Sequence, residues 1–334
     1  MQLRSASRLC KRSVDERGAC GIDVNPMPAA SLRALLERSV DYAGLFPPAS
    51  LDLAPALQNH SAYVRDRDVW MLGAFVLPVA KFSDAAPHLG AFDVEHRLRV
   101  SALGAKTDHA SGFQASLEAA ADAIQQFNRE HSAYAAVTQI EVALPAHPEA
   151  RLGEMTQALA DVQVPTFWEA APDDAEQTIA SLAERRAATD SDLFAYKLRT
   201  GGVIASAFPS AIQIARVVVA AIEHRVPIKF TAGLHHPVRQ FHSSVQAKMH
   251  GFLNVFGAGV LAAEHKWDVQ QTARMLEDES ATSFAFDDET FSWNEWQIAT
   301  ERILQHRQLV TSFGSCSFDE PREDLRALNL FSAR

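Results

Sequence analysis

Hydrophobic and polar positions along this chain follow two periods that take turns. Apolar residues recur at helical spacing over Ser31–Val40 and Leu51–Arg67, with the turn-forming GLFPP between them. Thereafter short strand-like runs and helical stretches come in pairs. WMLGAFVLP precedes a short helix near Ser83–Leu89, and RLRVSALGA precedes Phe113–His131. VTQIEVALP precedes Glu149–Val162, and VPTFWEA precedes Asp173–Ala188. FAYKLRTGG leads into Pro209–His224, and PIKFTAGL into a long helical region at Val245–His265 and Val269–Glu279. SFAFDD with Asn294–Arg307 and LVTSFGS with Arg322–Phe331 complete about eight strand–helix units.

Such alternation predicts a parallel sheet. About eight units fit an α/β fold of the (β/α)8 TIM barrel type, whose usual size is around 250 residues. An open doubly wound sheet is the alternative, but no GxGxxG follows the first strand to support a dinucleotide fold. Residues 28–334 are assigned to one barrel domain, with the two leading helices capping the barrel or covering its mouth. Residues 1–27 are Arg- and Ser-rich and lack the apolar core of a secretory signal, so they read as a disordered or targeting extension.

The strands themselves carry a second signal. Strands of a parallel barrel are buried on both faces and usually read as continuous apolar runs. Here several alternate instead. Lys197 and Arg199 oppose Tyr196 and Leu198; Lys229, Thr231, Gly233 and His235 oppose Ile228, Phe230, Ala232 and Leu234. Gln139 and Glu141 oppose Ile140 and Val142, Arg99 and Ser101 oppose Leu98 and Val100, and Asp287 opposes Phe284 and Phe286. The apolar face must meet the helices, so the polar face points into the barrel. With Glu169, these charges gather toward the C-terminal strand ends, where barrel enzymes keep their active sites.

Composition narrows the partners. The 334 residues carry a formal net charge of −10 without a basic stripe, which argues against nucleic acid. No uncharged apolar run reaches the roughly 18 residues of a membrane helix, so no membrane partner is expected. Cys10, Cys20 and Cys316 are odd in number and widely spaced, which suits a reducing, cytoplasmic interior rather than a disulfide framework. The expected partner is a small-molecule substrate, with a homo-oligomer possible.

Lys197 and Lys229 are 32 residues apart, one βαβ step, which places them on adjacent strands and by parity on the inward face. A lysine amine attacks a carbonyl only when unprotonated, and burial or a second cation lowers its pKa. One lysine can therefore serve as Schiff-base nucleophile and the other as its electrostatic partner. Arg199 offers bidentate binding of a carboxylate or phosphate, and Glu141 or Glu169 can shuttle the proton.

The motifs KLRTGG (Lys197–Gly202), KFTAGL (Lys229–Leu234) and FGSCS (Phe313–Ser317) resemble the class I aldolases of the deoxyribose-phosphate aldolase type. The likeness covers about a third of the chain. It implies Lys197 as Schiff-base lysine and Lys229 as its partner. A phosphate would be cradled by backbone groups around Gly201, Gly202, Thr231, Gly233, Gly314 and Ser315, with no cofactor. An insertion of about fifty residues before FGSCS holds SFAFDD, which would shift the lysines from strands six and seven to five and six. The fuller set KLRTGG, KFTAGLHHP, MHGFLN and FGSCSFDEP resembles an uncharacterised bacterial barrel family that implies no particular reaction.

The histidines of GLHHP have no counterpart in those aldolases and open a second reading. His235, His236, His242 and His250 fall close together, and imidazoles with a carboxylate suit a divalent Zn, Fe or Mn ion. On that alternative, a metal-dependent hydrolase, lyase or isomerase would use His235, His236, His250 and Asp287. A pure acid/base role for His235 stands beside it. Cys316 follows a strand end, but sequence assigns it no histidine partner. Asp319 reads as a helix N-cap, and a barrel that binds without turnover is the third possibility.

Overall fold

In the computed structural model, which describes residues 27–104, 110–145, 158–159 and 161–331, eight parallel strands pair in a closed ring. They are β1 (Val40–Tyr42), β2 (Leu72–Pro78), β3 (Leu98–Leu103), β4 (Ala135–Ala143), β5 (Thr166–Glu169), β6 (Phe194–Arg199), β7 (Ile228–Thr231) and, late in the chain, β13 (Val310–Ser315). The strands follow chain order round the ring, and β13 closes it between β7 and β1. This is the (β/α)8 barrel. The extension over residues 1–26 and most of the helix expected at Glu149–Val162 lie outside the described residues.

Two elements differ from the sequence pattern. β1 is a three-residue strand that begins at Val40, the last residue of the stretch where helical spacing suggested Ser31–Val40; helix α1 (Ala30–Leu36) ends before it. Conversely, SFAFDD contributes β10 (Phe284–Phe286) to a separate antiparallel sheet with β11 (Thr290–Trp293) and β12 (Trp296–Ala299), not to the barrel. The two changes cancel in number but not in place. Counted round the ring, Lys197 and Lys229 stand on the sixth and seventh strands, not the fifth and sixth.

Helices α2 (Leu53–Tyr63), α3 (Phe82–Ala85), α4 (Ala110–His131) and α5 (Ala175–Thr189) run in the connections between the earlier strands. Apolar outward positions explain this outer layer. Tyr196, Leu198, Ile228, Phe230 and Phe313 are buried on the helical side. Helix α6 (Ala211–Glu223) starts in a capping box, with Ser210 and Gln213 bonding each other's backbone N–H. The segment Ala205–Glu223 is long and apolar enough to cross a membrane by length and composition. In the barrel its buried Ile214, Val217 and Val218 belong to the core instead. Helix α7 (Phe252–His265) is almost wholly apolar, and Phe252 stacks on Phe313 with centroids 5.2 Å apart. A Cβ at Gly259 would meet Val310 at 2.5 Å, so the missing side chain lets α7 settle onto β13.

The chain between β7 and β13 is an elaborated return. It holds the hairpin β8 (Gln240–His242) with β9 (Ala247–Met249), then α7, α8 (Val269–Glu277) and the β10–β12 sheet. The long helix expected from Val245 therefore starts only at Phe252. After β12 comes α9 (Thr300–His306), and after β13 comes α10 (Asp319–Ala327). Asp319 is the first residue of α10 rather than its cap, which is Phe318.

Candidate functional site

The inward parity read from the strands places a continuous charged network inside the barrel. Glu141 of β4 stands at its centre. Its Oε2 lies 2.9 Å from Lys197 Nζ on β6, and its Oε1 accepts from Lys229 Nζ on β7 at 2.6 Å. Ser101 Oγ of β3 donates to the same Oε1 at 2.6 Å. Lys197 Nζ also lies 2.9 Å from Glu169 Oε2 on β5, and Arg199 Nε reaches Glu169 Oε1 at 3.3 Å. On the far side, Lys229 Nζ donates to Asp41 Oδ2 of β1 at 2.8 Å. Asp41 Oδ2 accepts further from Gln139 and Ser312, each at 2.8 Å, and its Oδ1 from the Ala74 N–H at 2.7 Å.

Lys197, Lys229, Glu141 and Asp41 are all buried, where an unpaired charge would be expelled or neutralised. Pairing decides the outcome. Burial opposes the charge on Lys229, but the carboxylates of Asp41 and Glu141 overcome it and raise its pKa above the ordinary lysine value. Burial likewise works against Glu141, yet the ammonium groups of Lys197 and Lys229 hold it well below the ordinary carboxylate range. Glu169 is held down in the same way by Lys197 and Arg199 against its burial. The lysines thus do not face each other as two bare cations. Glu141 bonds both, and this corrects the expectation that Lys229 acts on Lys197 by simple like-charge repulsion.

Above the network opens a cavity of about 410 Å³ at the C-terminal ends of the strands. Lys197, Glu141 and Arg199 form its charged wall. Gly201, Gly202, Thr231, Gly233 and Gly314 bring backbone to its rim. Phe46, Pro47 and Pro48 of the GLFPP turn give it an apolar side. Gly233 holds φ +77°, a left-handed conformation that favours glycine, and a Cβ there would meet Gly201 Cα at 2.9 Å. The rims of β6 and β7 touch because both residues lack side chains. A larger hollow of about 1070 Å³ at the opposite strand ends, beside Pro165, Pro227 and Leu309, touches none of this network.

Other candidates are distributed differently. Ser315 has outward parity and is buried; its Oγ meets the Ser317 N–H at 3.4 Å, so it does not line the cavity. Asp287 is an exposed turn residue whose Oδ1 accepts the N–H groups of Glu289 and Thr290. It never enters the barrel, because its strand belongs to the separate sheet. His236 Nδ1 pairs with Asp324 at 2.7 Å. His250 is buried between Arg239 and the Pro209 carbonyl, and burial pushes its pKa down to about 4. Among the described residues no three His, Cys, Asp or Glu side chains gather as metal ligands. The set His235, His236, His250 and Asp287 is therefore scattered, since each member already serves a different local partner.

His235 alone of that set lines the cavity. Its Nδ1 contacts Glu320 Oε2 at 3.0 Å and Cys316 Sγ at 3.9 Å. Burial lowers its pKa, but the contacts with Cys316 and Glu320 outweigh that and raise it to about 9. Sequence reasoning missed the Cys316–His235–Glu320 cluster and Asp41. The alternation Val40–Asp41–Tyr42 was the available signal for Asp41, but three residues were too few to compete with the helical pattern before them. No protein-family profile matches the chain, and no curated protein resembles it significantly in sequence.

Proposed function

We propose that this barrel is an enzyme acting on a small anionic carbonyl compound through a Schiff base at Lys197, with aldolase- or lyase-like chemistry. One observation carries the reading: Lys197 stands at the wall of the mouth cavity with Glu141 and Glu169 each 2.9 Å from Nζ. A lysine must lose a proton to attack and becomes a cationic iminium afterwards. The adjacent carboxylates offset the iminium charge and stand within reach of the proton the amine must shed. Glu169 is the better shuttle, because Glu141 is also committed to Lys229 and Ser101.

Arg199 supports the anionic class of ligand. Its side chain is 53% exposed and meets Glu169 through Nε alone, which leaves the guanidinium end for a carboxylate or phosphate. The glycine rim allows backbone N–H groups to approach the same anion. Lys229 and Asp41 lie behind Glu141 and serve to fix its position and charge.

The test is reductive trapping. The protein is incubated with a panel of small anionic aldehydes and ketones plus borohydride, and the adduct is mapped by mass spectrometry. A secondary amine at Lys197, absent in Lys197→Met, is the expected result. No adduct at Lys197 across the panel sinks the reading.

A further inference from the structure

The lip of the cavity carries a second reactive group that the lysine chemistry leaves idle. Inward positions on β13 alternate: Ser312 reaches Asp41, Gly314 lines the cavity, and Cys316 is next in step. β7 ends at Thr231, and the chain then turns through Ala232 and Gly233, both at positive φ, and brings His235 to the cavity. β7 and β13 are neighbours in the ring, so the segments that follow them lie side by side. Cys316 Sγ and His235 Nδ1 stand 3.9 Å apart, and both line the cavity that Lys197 faces.

The imidazole is held for work. Glu320 takes its Nδ1 edge at 3.0 Å, while Nε2 has no hydrogen-bond partner among the described residues. Beyond His235 lies a side chamber of about 220 Å³ that shares Pro48, Gly202, Val203 and His235 with the main cavity. A ligand therefore has room to pass on either side of the ring. Cys316 is only 9% exposed, and it meets the outside through the cavity it lines.

We propose that Cys316 is a second nucleophile of this cavity, capturing small anionic aldehydes as thiohemiacetals with His235 moving the proton. The sulfur attacks the aldehyde carbon, so an S–C bond forms and the S–H bond breaks. The carbonyl π pair moves to oxygen, and the proton from sulfur reaches that oxygen through the imidazole ring. Nothing is oxidised or reduced, no co-reactant is consumed, and the step reverses by the same path. The raised basicity of His235 favours taking the proton from sulfur, and the imidazolium so formed offsets the negative charge that builds first on sulfur and then on oxygen. The step is independent of Lys197, because an amine captures an aldehyde by losing water whereas a thiol simply adds.

The experiment is competitive alkylation at pH 7. Folded wild-type protein, Lys197→Met and His235→Asn are treated with iodoacetamide with and without glyoxylate, and Cys316 is followed by peptide mapping. Cys316 is expected to be alkylated in the folded wild type. Glyoxylate should slow that labelling saturably and reversibly, and the protection should persist in Lys197→Met. His235→Asn, whose fold is checked by circular dichroism, should cut the alkylation rate by about a hundredfold, within the range for a proton-transfer partner. Three results overturn the proposal: a Cys316 that labels only after unfolding, glyoxylate protection that disappears in Lys197→Met, or a His235→Asn rate equal to wild type. Borohydride trapping reads the amine alone, so a failed Schiff-base test leaves this result standing, and the converse also holds.

Discussion

Glu141 accepts from three strands at once, and that single carboxylate explains why two lysines tolerate burial in one barrel. Lys197 retains Glu169 if Glu141 is lost, but Lys229 depends on Asp41 and Glu141 together. Removing one partner of a buried ion pair usually costs about 3–5 kcal/mol, because the remaining charge stays desolvated. Lys229→Met should therefore destabilise the fold by that amount in urea unfolding. Adding Asp41→Asn should recover about 1 kcal/mol or more of the loss, since the amide leaves no unpaired charge beside the methionine. Asp41 keeps Gln139, Ser312 and the Ala74 N–H in the single variant, so full recovery is not expected. A double variant no more stable than Lys229→Met would mean that Asp41 is not Lys229's electrostatic partner.

At the scale of elements, the glycine rim shows how the strand ends are shaped for a ligand. Gly233 combines φ +77° with close packing against the backbone of Gly201, whose own added Cβ would meet Phe208 at 2.5 Å. Gly233→Ala should cost about 1–2 kcal/mol in conformational strain, with further loss from the crowding. The expected result is a lower urea midpoint, together with weaker reductive trapping at Lys197 as the rim is pushed apart. An unchanged midpoint would deny the close approach. These same elements show what sequence made legible. Strand–helix alternation was strong over β2 to β7, and parity put Ser101, Gln139, Glu141, Lys197 and Lys229 inside. It failed at β1 because three residues carry too little periodicity. It failed at β10 because an antiparallel edge sheet alternates as a barrel strand does, and only pairing distinguishes them. The Cys316–His235 contact joins residues 81 apart, and nothing local encodes it.

For the whole molecule, the balance of paired and neutral groups sets a pH profile for stability. His60 is fully buried among Tyr42, Phe75 and Phe92, with Nδ1 unpartnered, and burial pushes its pKa down to about 3. His250, at about 4, behaves alike. Both pKa values lie below the unfolded value near 6.5. Below that pH the unfolded chain binds protons that the folded one refuses, so stability falls by about 1.4 kcal/mol per pH unit for each. Glu141 and Glu169, held down in the fold, add to the loss as pH drops through the ordinary glutamate range. His235, raised to about 9, acts in the opposite direction: its contribution is complete below pH 6.5 and disappears as pH climbs through 9. Stability measured by urea midpoint should therefore peak near pH 6.5, falling about twice as steeply on the acid side as on the alkaline side. His60→Phe keeps an aromatic ring in the cluster and removes one titrating group. It should halve the slope between pH 6 and 5, and an unaltered slope would show that His60 is not held neutral by the fold.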